Sequence, residues 1–242
     1  MPLDGRTQSL NVVFKDKDAQ DVIEHALNQL GQTSLVSSFG AESVVLLHMA
    51  AKVDRNVHIL FIDTELLFPE TLSYQQQVAH ALGLTNVETI RASRNAVFEH
   101  DNENLLHLHD PDACCALRKT EPLRKALKGV ESWITGRKRV QGGERTTLEH
   151  FEVDRPLGEL PRIKVNPLAY WDRDDVADYI LQHNLPRHPL VAKGYPSIGC
   201  TPCTTRVNDG EDWRAGRWRD QRKTECGIHF ENGRTARPAR AS

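Results

Sequence analysis

Short runs of apolar residues alternate along this chain with segments in which apolar residues recur every three to four positions. The runs are typical of strands buried in a parallel sheet, and the recurring pattern is typical of amphipathic helices. The pattern predicts strands at 35–39, 57–62, 87–90 and 132–135, and helices at 17–30, 41–52, 69–82, 113–128 and 172–184. This alternation indicates an α/β, Rossmann-like fold with a mostly parallel sheet and helices on both faces.

The pattern changes after Pro186, where prolines, glycines and charged residues dominate. Such a composition is typical of irregular structure, and chain ends of this kind are often poorly ordered. We therefore predict two parts. A nucleotide-binding α/β domain with the cysteine site described below occupies residues 1–205, and a flexible, irregular C-terminal tail occupies residues 206–242.

The composition is that of an ordinary globular protein, because 39% of the 242 residues are hydrophobic and 26% are charged. The formal net charge of −2 argues against a dedicated nucleic-acid binder, which needs a cationic excess to neutralise phosphates. No apolar run is long enough to span a membrane, and the first residues lack the layout of a secretory signal. We therefore expect a cytoplasmic protein with neither a membrane nor a nucleic acid as its partner.

Four of the five cysteines fall in two pairs, Cys114-Cys115 and Cys200-x-x-Cys203. In a reducing cytoplasm, paired cysteines favour metal ligation over disulfide bonds, and thiolates suit iron-sulfur clusters or zinc. Ligands of structural zinc prefer spacings of two to four residues, whereas adjacent cysteines can bind different irons of one cluster. The spacing favours a [4Fe–4S] cluster held by these four residues. Zinc, and cysteines that only pack, are the alternatives.

The fifth cysteine, Cys226, has different surroundings. It lies in a polar stretch beside Gly227 and three residues before His229, and several arginines precede it. Nearby positive charge lowers the pKa of a thiol below its usual value of roughly 8.5 and favours the nucleophilic thiolate. We interpret Cys226 as a nucleophile, and an incidental cysteine is the alternative.

Polar and basic segments follow three of the predicted strands. Ser37-Ser38-Phe39-Gly40 lies between a strand and a helix, where backbone N–H groups and the helix dipole attract anions. Asp63 follows the second strand, and Gly136-Arg137-Lys138-Arg139 follows the fourth. The carboxyl ends of parallel strands share one edge of a sheet, so we expect an anionic nucleotide to bind there. For each segment alone, a capped turn or a solvated basic loop is the alternative.

Lys119 follows Cys115 by four residues on a predicted helix, which is about one turn. This spacing would place its ammonium beside the cluster, between a negative cluster and a negative ligand. A solvated lysine is the alternative.

Together these motifs resemble the sulfonucleotide reductases, and in particular the iron-sulfur adenylyl-sulfate (APS) reductases of sulfate assimilation. The resemblance runs from about Ser34 to Phe230. Its most specific parts are the paired cysteines and Glu225-Cys226-Gly227-Ile228-His229. Its other parts are Ser37 to Gly40, Asp63-Thr64, Leu67 to Thr71, Arg118-Lys119, Pro122-Leu123, Gly136 to Gln141, Arg145, Pro167-Leu168 and Trp171.

The resemblance implies an adenine nucleotide alpha hydrolase-like fold and an oxidoreductase that acts on a sulfur group. Cys226 would attack the sulfur of adenosine 5′-phosphosulfate (APS), releasing AMP and leaving an S-sulfocysteine. Thioredoxin, or a glutaredoxin-like donor, would then free sulfite for cysteine biosynthesis, while the [4Fe–4S] cluster lies near the sulfate without donating these electrons. The resemblance leaves a homo-oligomer open. The substrate contacts that it implies are Ser37, Ser38, Phe39, Gly40, Ile62, Asp63, Lys119, Gly136, Lys138, Arg139, Arg214, Arg217 and His229.

Two positions depart from the pattern of many APS reductases. Phe39-Gly40 is similar to the loop of reductases that use the 3′-phosphorylated substrate (PAPS), and Glu65 replaces a glycine that commonly follows Asp-Thr. A PAPS reductase or a dual-substrate enzyme is therefore the alternative, although reductases restricted to PAPS typically lack the four paired cysteines. An iron-sulfur tRNA-thiolation enzyme and a non-enzymatic iron-sulfur redox sensor are more distant alternatives.

Overall fold

The computed structural model describes residues 2–219 and Lys223. The strands of this part of the chain are β1 (Thr33–Ser37), β2 (His58–Ile62), β3 (Val87–Ile90), β4 (Ser132–Ile134), β5 (Phe151–Asp154) and β6 (Arg162–Val165). Its α-helices are α1 (Leu3–Val13), α2 (Ala19–Gln29), α3 (Ser43–Val53), α4 (Pro69–Leu82), α5 (Arg94–Asp101), α6 (Leu106–His109), α7 (Pro111–Cys115), α8 (Glu121–Ala126) and α9 (Arg173–Gln182). A π-helical turn, Ala116–Thr120, joins α7 to α8.

The strands form one six-stranded sheet in the order β3-β2-β1-β4-β6-β5. All neighbouring pairs are parallel except β5 and β6, which are antiparallel. The chain runs from β1 to β2 and β3 on one side, and then returns to β4 on the other side of β1. A crevice therefore opens between the carboxyl ends of β1 and β4, where open α/β sheets bind their ligands.

Alternate residues of the central strands pack into two separate cores. Leu35 of β1 and Ile59 of β2 belong to the larger core, with residues of α2, α3, α4 and α9. Their neighbours Val36 and Leu60 belong to the smaller core, with Leu123 of α8. Successive side chains of a strand point to opposite faces. The predicted fold, with helices on both faces of a mostly parallel sheet, is therefore confirmed.

The predicted elements lie within two residues of their observed bounds, except one helix, and several observed elements were not predicted. β1 ends at Ser37, before the predicted residue 39, because Phe39 has a φ of 48° and leaves the strand direction. The predicted helix 113–128 divides into α7, the π-helical turn and α8. Helices α1, α5 and α6 and strands β5 and β6 were not predicted.

Strand β6 was not predicted from the sequence because two of its four residues are charged. Arg162 and Lys164 are nevertheless buried, at 6% and 5% exposure. Arg162 donates to Asp154 of β5 at 2.8 Å, and the Lys164 ammonium lies 4.8 Å from the centroid of the Trp133 ring. These charges become buried only because β4 and β5 supply partners for them, and such partners cannot be read from a local pattern.

Lys164 is expected to make the stability of the fold depend on pH. Burial, and to a lesser extent the nearby Arg137, lowers the pKa of Lys164 to about 7, whereas an unfolded lysine has a pKa of roughly 10.4. The unfolded state therefore binds more protons between about pH 7 and 10. The contribution of Lys164 to the free energy of unfolding should thus rise with pH in this window.

Urea unfolding of wild type and K164M at several pH values checks this expectation. K164M should be the more stable of the two near pH 7, and its advantage should shrink as the pH approaches 10. The matched control is K128M, because Lys128 is exposed. An advantage of K164M that does not change with pH would contradict the expectation.

Residues 206–219 pack against the segment before them. Val207 N donates to Gly194 O at 3.0 Å, and Trp218 N donates to Cys203 O at 3.1 Å. The division into residues 1–205 and 206–242 stays a prediction. In the described part of the chain, no helix has both the length and the apolar character to cross a membrane.

Candidate functional site

A cavity of about 220 Å³ lies at the crevice between β1 and β4. By the same measure one water takes roughly 10–15 Å³, so the cavity has the size of a ligand site. Its walls come from the ends of β1, β2 and β4 and from the irregular segment after α9. The lining residues from the strand ends are Ser37, Ser38, Gly40, Ile62, Thr64, Thr135, Gly136, Arg137 and Lys138, and those from the later segment include Ser197, Gly199, Cys200, Trp213, Arg214, Arg217 and Trp218.

The cavity is strongly cationic. Its basic lining residues are Lys119, Arg137, Lys138, Arg145, Arg214 and Arg217. Among its described lining residues, only Glu42 carries a carboxylate, and this group pairs with Lys138 at 2.7 Å. Arg137 pairs with Glu152 and also donates to Asn166. So large an excess of positive charge in a recessed site suits a ligand with more than one negative charge.

The loop after β1 turns sharply at the cavity edge. Phe39 adopts a φ of 48°, its backbone N donates to Ser37 Oγ at 3.1 Å, and its buried ring meets Phe61 edge-on at 5.2 Å between centroids. A Cβ on Gly40 would lie 3.4 Å from Ile198 O. The buried ring thus anchors the loop in the core, and the segment around Ile198 packs against Gly40.

Arg217 crosses the cavity wall in an unusually tight setting. Its guanidinium carbon lies 4.4 Å from the centroid of the Trp218 ring, and its end groups occupy the space that a Cβ on Gly199 would need. Its Nε is buried and has no hydrogen-bond partner among the described residues. A buried donor of this kind favours an acceptor from a bound ligand, since leaving it unsatisfied costs about 1–3 kcal/mol.

The four paired cysteines line a second, smaller cavity beside the first. Cys114, Cys115 and Cys200 are buried, Cys203 is partly buried, and none of the four forms a disulfide with a described residue. Burial, and then the neighbouring Cys200, raises the pKa of Cys114 to about 11, and the same causes raise the pKa of Cys203. The remaining lining residues are Thr64, Leu66, His107, Pro111, Arg118, Lys119 and Pro202.

The two cavities share a wall made of Thr64, Lys119 and Cys200. Thr64 Oγ1 lies 3.2 Å from Cys200 Sγ, and Thr201 N donates to Leu66 O at 2.8 Å, so the loop after β2 holds the Cys200 turn in place. Lys119 lies on the π-helical turn with 9% exposure. A π-helical turn contains one residue more than an α-helical turn, so the side chains after the cysteines point in a different direction than in a regular α-helix. Such turns often occur at functional sites.

The thiol set can be tested against a metal group. Among the described residues, no three His, Cys, Asp or Glu side chains are arranged around a single ion. A mononuclear site needs all its sulfurs within about 2.3 Å of one point, whereas a four-iron cluster spreads its ligands around a larger body. Three buried thiols and one partly buried thiol that line one cavity are a donor set that fits an iron-sulfur cluster, and the buried His107 Nδ1 beside them has no described hydrogen-bond partner.

Arg118 stabilises the wall that the two cavities share. Its side chain is almost fully buried, at 1% exposure. It donates to Asp101 Oδ2 through Nε and Nη2, at 3.0 and 2.8 Å, and to Thr64 O at 3.0 Å. Burial raises the pKa of Asp101, but the hydrogen bonds from Leu106 N and Arg118 outweigh it and lower the pKa below its usual value. Because Thr64 contacts Cys200, this buried ion pair connects α5 to both cavities.

The structure brings nine of the predicted substrate contacts to the larger cavity. These residues are Ser37, Ser38, Gly40, Ile62, Lys119, Gly136, Lys138, Arg214 and Arg217. Cys226 and His229 lie outside the described residues.

Three predicted contacts do not line this cavity with their side chains. Phe39 is in the larger core. Asp63 is buried and accepts from Arg91 Nε at 2.9 Å. Arg139 pairs with Glu149 at 3.0 Å and lies over the Tyr170 ring. Each was expected from its place at a strand end, but the local turn points its side chain elsewhere.

Several lining residues were not selected from the sequence. Trp213 and Trp218 flank the two predicted arginines, and Gln141 and Arg145 reach the cavity from two short 3₁₀ turns. Arg145 donates to Gln141 Oε1, which in turn accepts from Lys138 N. In the sequence, only the resemblance to the sulfonucleotide reductases pointed to Gln141 and Arg145, because both belong to its shared motifs.

Glu65 gives a physical reason for the glycine that commonly occupies its position in the resembling family. Its φ is 60°, in the left-handed region that favours glycine. Glu65 N donates to Asp63 Oδ1 at 2.9 Å, and this bond supports the turn with a non-glycine residue.

Comparison with known proteins agrees with this architecture. Residues 32–206 match the phosphoadenosine phosphosulfate reductase domain family. The chain is 44% identical over 234 residues to an adenosine 5′-phosphosulfate reductase of Chelativorans sp., covering 95% of this chain and 94% of the relative. A relative of the same name from Mesorhizobium japonicum is 43% identical over 228 residues, covering 93% and 88%.

A solved structure is also similar. The crystal structure of phosphoadenylyl-sulfate (PAPS) reductase from Candida auris, a phosphate complex, aligns with a TM-score of 0.68 and 29% identity. The alignment covers 83% of this chain and 96% of that one. With its crevice between β1 and β4 and a family match over most of its length, the chain belongs to the phosphoadenosine phosphosulfate reductase domain family.

Proposed function

We propose that this protein reduces APS to sulfite and AMP with thioredoxin as the electron donor, through an S-sulfocysteine on Cys226. It would act in assimilatory sulfate reduction and cysteine biosynthesis, in the cytoplasm. The names of the relatives from Chelativorans and Mesorhizobium support APS as the substrate. A glutaredoxin-like donor remains the alternative to thioredoxin.

The observation that carries the proposal is the shared wall of the two cavities. A ligand-sized cationic cavity meets the four-cysteine cavity at Lys119 and Cys200. A nucleotide that bound with its sulfate at this wall would have its reactive end beside Lys119. A plain nucleotide-binding protein has no need for such a junction, and a redox sensor has no need for the cationic cavity.

The reaction divides into a displacement and a thiol exchange. The Cys226 thiolate attacks the sulfate sulfur, a Cys226 S–S bond forms, the sulfur–oxygen bond to the phosphate breaks, and AMP leaves with the bonding electrons. A thioredoxin thiolate then attacks Cys226 Sγ and sulfite departs. The second thioredoxin thiol resolves the mixed disulfide, so that thioredoxin is oxidised by two electrons and Cys226 returns as a thiol.

The cations of the cavity have a clear role in the displacement. A thiolate approaches a group that is already anionic, so positive charge at the sulfate lowers the barrier. Lys119 and Arg217 lie close enough to Cys203 to offset part of the pKa increase that burial causes, so both are on the cysteine side of the cavity. We assign them to the sulfate, with Arg214 beside them.

The other end of the cavity suits the nucleotide. Val36, Leu46 and Ile62 provide apolar surface for the purine, and Ser38 and Gly40 are small residues beside which a phosphate can bind. When a [4Fe–4S] cluster is bound by Cys114, Cys115, Cys200 and Cys203, it supplies a fixed electrostatic environment next to Lys119, and the electrons come from the donor thiols.

Sulfite release with APS and with PAPS, measured side by side with thioredoxin, tests the reaction and the substrate together. We expect kcat/KM for APS to exceed that for PAPS by at least about tenfold, because a 3′-phosphate without a matched partner must lose its hydration on binding. Absence of sulfite from both substrates would contradict the reaction itself.

A PAPS reductase is the second candidate, and one observation favours it. The solved structure from Candida auris is described as a PAPS reductase and resembles this chain over most of its length. In the same assay, a higher kcat/KM for PAPS would establish this alternative, and equal values would establish a dual-substrate enzyme.

A further inference from the structure

Glu42 and Lys138 form an ion pair across the crevice between the ends of β1 and β4. Lys138 Nζ lies 2.7 Å from Glu42 Oε2, and both residues line the cationic cavity. The side chain of Lys138 is 2% exposed and that of Glu42 is 20% exposed. Glu42 is also the residue before α3, but its side chain makes no capping hydrogen bond to that helix. Its carboxylate therefore serves the ion pair.

This pair sets the charge that a ligand meets at one side of the cavity. Among the described lining residues, Glu42 alone carries a carboxylate. A buried ammonium gives up its carboxylate partner only for a group that replaces it. A negatively charged group that binds next to Glu42 is therefore repelled by the carboxylate, and it has to compete with Glu42 for Lys138.

Glu42 lies between the parts of the cavity that were assigned to the phosphate and to the purine. Gly40 precedes it by two residues, and Leu46 follows it by four, which is about one helical turn. A Cβ on Gly136 would lie 3.7 Å from Leu46 Cδ2, so this part of α3 packs against the loop that carries Lys138. Because the ribose links the purine to the 5′-phosphate, the ribose of a bound nucleotide is expected beside Glu42.

A carboxylate distinguishes a ribose hydroxyl from a ribose phosphate. It accepts a hydrogen bond from the hydroxyl, as the acidic residue of NAD-binding folds does, whereas folds that bind the phosphorylated cofactor use an arginine. A phosphate monoester carries about −1.5 to −2 charges near pH 7, so the same carboxylate repels it. APS and PAPS differ in this way at the ribose 3′-position.

We propose that Glu42 is the residue that selects APS over PAPS. Its carboxylate accepts a hydrogen bond from the ribose 3′-hydroxyl of APS, and it excludes a 3′-phosphate by charge repulsion and by keeping Lys138 paired. This inference rests on the proposed function, and it names the residue that decides between the two candidate substrates. Lys138 is the cation that a 3′-phosphate would use if Glu42 lost its charge.

The variant E42Q removes the charge with almost no change in size. Affinities are measured for AMP and for adenosine 3′,5′-bisphosphate, the nucleotide products of APS and PAPS, together with kcat/KM for both substrates. Wild type should bind AMP at least about tenfold more tightly than the bisphosphate, and E42Q should reduce this preference at least about tenfold. The ratio of kcat/KM should move toward PAPS by a similar factor. The change should shrink as the salt concentration rises, because salt screens the charges.

The matched control is E159Q. The Glu159 side chain is 16% exposed and pairs with Arg124 at 3.0 Å, so its burial and pairing resemble those of Glu42. Glu159 lies between β5 and β6, before the start of β6, which is parallel to β4. It is therefore at the edge of the sheet opposite to the cavity, and E159Q should keep the wild-type preference for AMP.

Binding to the wild-type protein gives a second test that does not depend on the folding of a variant. The nucleotide 3′-deoxy-AMP lacks the hydroxyl that Glu42 is assigned to bind. It should bind about tenfold more weakly than AMP, because a hydrogen bond to a charged group is lost. If E42Q does not retain iron and AMP binding, the wild-type affinities for AMP, 3′-deoxy-AMP and the bisphosphate decide.

Equal wild-type affinities for AMP and the bisphosphate would overturn the proposal, as would a preference of E42Q within twofold of wild type. A loss of affinity for both nucleotides by the same factor would show that Glu42 only supports the structure, which also overturns it. The binding measurements involve neither Cys226 nor thioredoxin, so a failure of the proposed reaction leaves them intact. Sulfite release from APS with an unchanged preference in E42Q would mean that this inference alone fails.

Discussion

Replacement of Cys226 by serine is expected to lower thioredoxin-dependent sulfite release from APS by at least about 10³-fold. A serine hydroxyl is not ionised near pH 7, and no sulfur remains to form a thiosulfonate that thioredoxin can attack. The variant should also fail to retain labelled sulfite from ³⁵S-APS on the protein. Sulfite release is measured under conditions where wild type completes many turnovers.

Iron content is the control for this experiment. C226S should keep wild-type iron, sulfide and brown colour, because the cluster is assigned to the other four cysteines, all of which lie in the described part of the chain. Sulfite release by C226S within about tenfold of wild type would remove Cys226 as the nucleophile. Wild-type protein that keeps its cluster but releases no sulfite would instead favour the redox sensor.

Replacement of Cys200 by serine is expected to cause the second large loss, of both the cluster and the activity. Cys200 lines both cavities and lies 3.2 Å from Thr64 Oγ1, so its loss should affect both cluster and substrate. A serine oxygen is a poor substitute for a soft thiolate ligand of iron. We expect iron and acid-labile sulfide to fall to background and sulfite release to fall at least about 100-fold.

The matched control is T201A in the same turn. Thr201 is exposed, and its described hydrogen bonds use only the backbone: its N donates to Leu66 O, and its O accepts from Thr204 N. T201A should therefore keep both the metal and the activity. Unchanged iron and sulfide in C200S would contradict the ligand assignment. Zinc in place of iron in the wild-type protein would contradict the cluster itself.

Much of the fold followed from the sequence because its central strands are short apolar runs. β2 is buried between β1 and β3, and its apolar run alone was sufficient to place it, whereas the edge strand β3 is only partly buried. β6 could not be placed in this way, since Arg162 and Lys164 are charged and become buried only against β4 and β5. Helix α1 was missed for a related reason: it covers the sheet edge through Asn11, whose side chain bonds Phe151 of β5.

The residues of the candidate site were likewise predictable only in part from the sequence. Strand-end position led to Ser38, Gly136 and Lys138, which line the cavity because every parallel strand delivers its following residues to the same edge. The Arg139 side chain instead contacts Glu149 and Tyr170, and Arg145 reaches the cavity from the next turn. Side-chain direction in a tight turn depends on a few backbone angles that residue type alone does not specify.

The sequence by itself determined the α/β alternation, the pairing of four cysteines apart from a fifth, and the cations that mark an anionic ligand. These features are local, because strand periodicity, thiol chemistry and charge belong to the residues themselves. Only the tertiary structure decided that Lys119, Thr64 and Cys200 form one wall between two cavities, and that Glu42 contacts Lys138. Such contacts join segments far apart in the chain, and they exist only once packing of the sheet and its helices has fixed where each segment lies.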